Sequence, residues 1–196
     1  AVCCAALSIV FCFVLKNAAR FYRIFIRNTY LRIVIGGAAV AVLTFLCGTY
    51  DYNGVGEEII NRAFSESASW EQFALKLLFT ALTLGAGFKG GEITPVFFVG
   101  ATFGSALAPL LGLDCSLGAA IGMSCLFCGV TNCPLTAVLL CTELFGAQYL
   151  PLYLLACSCA YMLSGYAGLY SEQKILYSKL EPKYICLLYT SPSPRD

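Results

Sequence analysis

The stretch GAGFKGGEITP, residues 85–95, interrupts an otherwise apolar run with four glycines, a lysine, a glutamate and a proline. Around it the chain is a membrane protein by composition. Hydrophobic residues make up 59% and charged residues 12%, against about 25% charged in soluble domains. Mean hydropathy is +0.79. Residues 93–113, 115–142 and 144–171 carry no charged side chain. Each run exceeds the roughly 20 residues a helix needs to cross hydrocarbon, so at least three full spans are expected.

The sequence excludes several function classes. A net charge of +1 with scattered Lys and Arg offers no patch for nucleic acid. The twelve cysteines sit in apolar segments and read as small hydrophobes. Cys125 and Cys128 have metal or redox spacing but lack a second pair, and the chain has no His. No metal and no cofactor are implied. No nucleophile stands in a pattern with a base, so an enzyme is not expected. Without His, proton chemistry falls to carboxylates, lysines or tyrosines.

The spacing of apolar runs and breakers predicts helices over residues 1–25, 31–50, 57–64, 70–84, 94–111, 116–130, 135–145 and 151–166, then an amphipathic helix over 171–180. Lys16, Arg20, Arg23 and Arg27 end the first helix and belong at a cytoplasmic edge. Gly36 and Gly37 permit a close helix contact in the second. Residues 50–72 are expected to form a polar membrane-surface connector, in which Glu57 and Glu58 are a solvated face. Ser69 stands at the N-cap position of the helix at 70–84, with Glu71 in its first turn. The chain starts in an apolar run without Met, which reads as truncation upstream. CLLYTSPSPRD, residues 186–196, resembles translated sequencing-adapter read-through. Two regions follow, an authentic membrane region at 1–180 and a non-native or disordered tail at 181–196.

Short, broken apolar helices with Gly and Pro at their ends mark transporters whose half-helices meet at mid-bilayer. In residues 85–95 the glycines free the backbone, and a helix starts near Glu92 with Pro95 in its first turn, where a missing N–H costs nothing. Open amides and the positive helix end then converge on one point, which suits an anion. A glycine hinge between packed helices is the other reading of the same residues.

Three motifs resemble the C-terminal half of a CLC chloride channel or transporter: GAGFKGGEITPVFFVGATFGSALA, GMSCLFCGVTNCPLTAVLLCTELFG and SGYAGLYSEQKI. The resemblance implies an all-α membrane protein, the C-terminal inverted repeat of that fold, with broken and re-entrant helices corresponding to the family's helices J to R. It implies an anion site at Gly91, Glu92, Ile93, Thr94 and Tyr170. The amides of Glu92 and Ile93 would face the anion and the Tyr170 hydroxyl would close its inner side. Pro134, Leu135, Thr136 and Glu143 match a family helix of the dimer interface, so a homodimer through residues 133–166 is expected, with Glu143 structural.

Ile93 departs from the family's usual filter Phe, and Glu92 and Thr94 stand where aliphatic and small residues are usual. This pairing resembles the fluoride-selective fluoride/proton antiporter branch, with Glu92 carrying protons. A carboxyl there is pushed up by burial and down by nearby amides. Thr94 adds a hydroxyl donor for a small, strongly hydrated anion. In the alternative, Thr94 caps the helix, Glu92 complements its dipole, and the pathway is a passive chloride or halide channel or a chloride/proton exchanger. Lys89 either pairs with Glu92 or concentrates anions at the mouth. The partners implied are fluoride or chloride, protons and the lipid bilayer, in a microbial plasma membrane. The family's gating glutamate would belong to a preceding repeat.

Overall fold

The computed structural model describes residues 1–170, 173–179 and 184–188. Its helices are α1 (Val2–Phe25), α2 (Thr29–Cys47), α3 (Glu57–Ser65), α4 (Trp70–Ala86), α5 (Ile93–Leu107), α6 (Cys115–Thr131), α7 (Pro134–Phe145) and α8 (Leu150–Leu163). The body is helical, as the sequence implies, with boundaries close to those expected. A correction falls at 171–180, where an amphipathic helix was expected. There Lys174–Tyr177 is a strand, β1, pairing antiparallel with β2, Tyr184–Leu188. Residues 171, 172, 180–183 and 189–196 lie outside the described residues, and with them most of the expected tail.

The long uncharged runs do not equal long helices. The helices long and apolar enough to cross a membrane are Val2–Phe25, Thr29–Cys47 and Ile93–Leu111, the last counting a 3-10 turn after α5. The expected span at 115–142 is divided at Asn132, which caps α6 in the left-handed region at φ 56°, followed by Pro134 as the first residue of α7. An Asn at that position, with Pro two residues on, satisfies α6's last carbonyls and forbids its continuation. The run at 144–171 yields only the short α8 and an irregular return.

Helix α6 lies at the centre, with nearly every residue from Gly118 to Thr131 buried. It packs on α1, α3, α5, α7 and α8, and most extensively on α5. The α5 contact is backbone on backbone. A Cβ at Gly100 would stand 2.7 Å from Met123 Cα, and one at Gly104 would run into the carbonyl oxygen of Gly118. Gly118 and Gly122 answer with the same four-residue spacing, the small-residue pattern by which membrane helices approach closely. Gly36 of α2 meets Ala86 of α4 in the same manner, as the Gly36-Gly37 pair foretold. Hydroxyls inside the helices turn back on their own backbone: Thr80 donates to the Lys76 carbonyl, Thr102 to Phe98 and Thr131 to Phe127.

Two buried lysines tie loops to this body. Lys76 of α4, 3% exposed, donates to the carbonyls of Tyr52 and Gly54 and lies 4.9 Å from the centre of the Phe98 ring. Lys179 donates to Asn132 Oδ1, Ser164 Oγ and the Tyr161 carbonyl, which fixes the segment after α8 against the end of α6. Glu57, Glu58 and Arg62 are on the exposed side of α3, while Ile59 and Ala63 are buried.

The glycine interface yields a stability test. Gly104→Ala places a methyl on a backbone carbonyl and should cost about 1–3 kcal/mol by overpacking, lowering the melting temperature in detergent. Gly54→Ala, whose Cβ meets nothing within 4 Å, should leave it nearly unchanged. Equal shifts for the two would discard the close-packing account.

Candidate anion site

Helix α4 ends in two backbone bonds, Gly87 N–H to Leu84 O at 3.0 Å and Phe88 N–H to Thr83 O at 3.4 Å. Gly87 sits at φ 99°, the left-handed conformation that such a paired C-terminal closure requires of the residue after the helix. Arg32, at the start of α2, adds a third partner by donating from Nε to the Ala86 carbonyl at 3.0 Å. Its guanidinium lies against Gly87, where a Cβ would come 3.1 Å from Nη2. The carbonyl end of α4 is thus both hydrogen-bonded and faced by a cation, which offsets its negative dipole end.

Helix α5 begins at Ile93, after a link of six residues, without such closure. Glu92 holds the N-cap position in a helical backbone conformation (φ −84°, ψ −21°), and no side chain caps the helix. Ser, Thr, Asp or Asn in extended backbone normally supplies that bond. The amides of Ile93 and Thr94 therefore point out of the helix end, as first-turn N–H groups do, and Pro95 has none to offer. Ser69 likewise holds the N-cap position of α4 without a capping bond.

The expected site residues fall together along this turn. Gly91 and Ile93 are exposed, Glu92 and Thr94 half-buried. Gly90, Gly91 and Pro95 line a cavity of about 130 Å³ shared with Lys76, Thr80 and Thr83. Glu92 lines a different one, of about 740 Å³, shared with Leu169. The turn thus contributes residues to two separate cavities. Tyr170, 43% exposed, follows Leu169, whose N–H bonds the Val130 carbonyl at 2.9 Å. Tyr170 is not among the residues lining either cavity. Lys89 is exposed, and among the described residues no ion pair joins it to Glu92. The Thr94 hydroxyl makes no hydrogen bond among the described residues, in contrast to Thr80, Thr83 and Thr102.

Arg32 and Lys76 were not singled out in the sequence. Lys76 had a readable signal, a lone charge inside an apolar helix. Arg32 had none, because its partner is 54 residues away.

The sequence pattern described as voltage gated chloride channel matches residues 1–165. A chloride/fluoride channel protein of Pseudomonas syringae pv. tomato is 40% identical over 156 residues, covering 76% of this chain and 34% of the relative. A voltage-gated ClC-type chloride channel ClcB of Salmonella dublin is 32% identical over 144 residues, covering 68% of this chain and 34% of the relative. Among solved structures, the crystal structure of a CLC-type fluoride/proton antiporter superposes with a TM-score of 0.82 at 33% identity, over 85% of this chain and 42% of that one. The chain belongs to the voltage gated chloride channel family, CLC, and has its fold. It spans about a third of the length of these curated relatives.

The closure of α4 can be checked directly. Removing the Arg32 donor forfeits a charge-assisted bond, worth roughly 1–2 kcal/mol at a half-exposed position. Arg32→Ala should speed hydrogen exchange at the Gly87 and Phe88 amides about tenfold, with α6 amides unaffected. Unchanged exchange at those two positions would remove Arg32 from the site.

Proposed function

We propose that this chain is part of a membrane transporter that exports fluoride against inward proton movement, with the turn at residues 91–94 as one half of its anion site. The observation that supports the reading is the uncapped start of α5 at a turn that lines two cavities. Its open amides offer hydrogen bonds and a positive dipole end to an anion that has lost its water. Irregular backbone at membrane depth is tolerated where it lines such a cavity.

Thr94 and Glu92 support fluoride and protons over passive chloride. The Thr94 hydroxyl makes no hydrogen bond among the described residues, so it can donate to an anion. A small anion of high charge density loses more on dehydration and gains more from each added donor. Glu92 faces a cavity large enough for water, and its carboxyl can take a proton there and release it after the anion has moved. Tyr170 would close the inner side of the site, a role consistent with Leu169 lining the same cavity as Glu92. The exposed leucines 135, 139, 144, 152 and 155 on α7 and α8 form an apolar face suited to a homodimer in the bilayer of a microbial plasma membrane.

The test uses the full-length protein carrying these residues, reconstituted in liposomes. Fluoride efflux should exceed chloride efflux and should drive opposed proton movement. Glu92→Gln keeps shape and loses titration, so it should weaken proton coupling while leaving anion binding largely intact. Thr94→Ala leaves the anion one donor short in a dry site, at about 1–3 kcal/mol, and should lower the fluoride preference about tenfold. Equal passage of both halides, or fluoride flux indifferent to a proton gradient, would replace this reading with a passive halide pathway.

A further inference from the structure

Asn132 has work beyond ending α6. Among the described residues it alone combines a side chain with a positive φ, the other such positions from Gly48 to Gly165 being glycines. A helix cap needs only the left-handed backbone, which glycine adopts with less strain, so capping leaves the Asn132 side chain unexplained. That side chain is buried, and both of its polar atoms are spent on the segment after α8. Nδ2 donates to the Ala167 carbonyl at 3.0 Å, and Oδ1 accepts from Lys179. Gly168 lies so close that a Cβ there would stand 2.8 Å from Nδ2. Two residues before Asn132, the Val130 carbonyl accepts from the Leu169 N–H at 2.9 Å. Lys179 is held in turn by the Tyr161 carbonyl at 2.9 Å and by Ser164 Oγ at 3.2 Å. Tyr170 falls between these anchors, with Ala167 and Leu169 fastened before it and Lys179 after it. The Gln173 N–H returns to the Tyr170 carbonyl at 3.3 Å, the bond of a tight turn.

We infer that Asn132 is a positioning residue for Tyr170: by tying the chain on both sides of Tyr170 to the end of α6, it fixes where the tyrosine hydroxyl stands relative to the turn at 91–94. The inference rests on the proposed anion pathway, and it adds which side chain sets the geometry of its inner side. Helix α6 is locked to α5 by the glycine contact. Anchors on the end of α6 therefore place Tyr170 in the same rigid frame as the start of α5. The tolerance is small, because a displacement of about 1 Å takes a hydroxyl out of hydrogen-bond range.

The experiment places a ring-fluorinated tyrosine at position 170 of the full-length protein in detergent. Its fluorine NMR line is recorded in fluoride-free buffer at about pH 6.5, where a tyrosine hydroxyl stays protonated. The unaltered protein should give one narrow line. Asn132→Gly keeps the left-handed backbone and removes both side-chain bonds, so it should broaden or split that line. Gly168→Ala leaves the cap of α6 alone and displaces Nδ2, and it should do the same. In liposomes both variants should raise the fluoride concentration for half-maximal efflux about tenfold. The maximal rate should change little, the pattern of weakened binding. An unaltered line in both variants, or a lower melting temperature with neither the line nor the half-saturation changed, would overturn the positioning role and leave Asn132 a cap. If the line and the half-saturation change as expected but chloride passes as fast as fluoride, the positioning role is supported and the fluoride reading fails. If they change while Tyr170→Phe leaves the half-saturation as it was, the positioning of Tyr170 is supported and its place in the anion site falls. If the unaltered protein passes no anion, the proposed function falls and the fluorine line alone decides for or against Asn132.

Discussion

The contact of Gly100 and Gly104 with Gly118 and Gly122 is the constraint from which the rest of the fold is arranged. With no side chain between them, the backbones of α5 and α6 meet directly, and dispersion along the whole interface replaces what lipid would otherwise supply. This holds α5 from its middle, while its first turn gives Val96 to the core and presents the amides of Ile93 and Thr94 at the helix end. The N-terminus of α5 is thereby positioned by a rigid body while its own amides stay uncommitted. A site built on the end of a packed helix is more precise than one built on a free loop.

The two helix ends at the break receive opposite treatment, and the difference sets the sign of the local field. At α4 the carbonyl end is closed by Gly87, by Phe88 and by Arg32. At α5 the amide end is left open. Had both been open, their dipoles would largely have cancelled at the turn. With the negative end neutralised, the positive end dominates, which is the sign of field the proposed anion site requires. This is also why a glycine hinge is the weaker account of residues 85–95. A hinge has no need of a guanidinium brought from another helix to cover one side of it.

Much of this was legible in the sequence. The glycines and Pro95 announced the break between α4 and α5, and hydropathy gave most helix boundaries to within a few residues. Three helices are long and apolar enough to cross a membrane, in line with the expected minimum of three, but of these only Ile93–Leu111 lies within an uncharged run. Uncharged residues 115–142 contain an Asn whose side chain both tolerates the left-handed region and donates to the Ala167 carbonyl. That second contact is tertiary and has no local signature. The expected helix at 171–180 failed for a similar reason. Residues 173–179 are held by strand pairing and by the Lys179 contacts with Asn132, Tyr161 and Ser164, and such partners outweigh a local helical pattern. The glycine interface was visible as four-residue spacing in both helices, yet only their juxtaposition gives that spacing meaning. At the break, the link from Gly87 to Glu92 and the start of α5 could be read from sequence because they are contiguous, whereas Arg32, far away in the chain, could not.

A channel and an exchanger can share the architecture described, so the distinction has to lie in groups that change state during a cycle. Open amides, the Arg32 closure and the glycine interface are the same before and after an anion passes. Among the residues of the turn at 91–94, only Glu92 can change its charge. Under the proposed function, ionised Glu92 would compete with an anion for the open amides and protonated Glu92 would release them, so that binding of anion and proton would favour one another, the mutual dependence that exchange requires. An uncharged side chain at the same position would leave the amides permanently available, and the pathway would conduct whatever its field attracts.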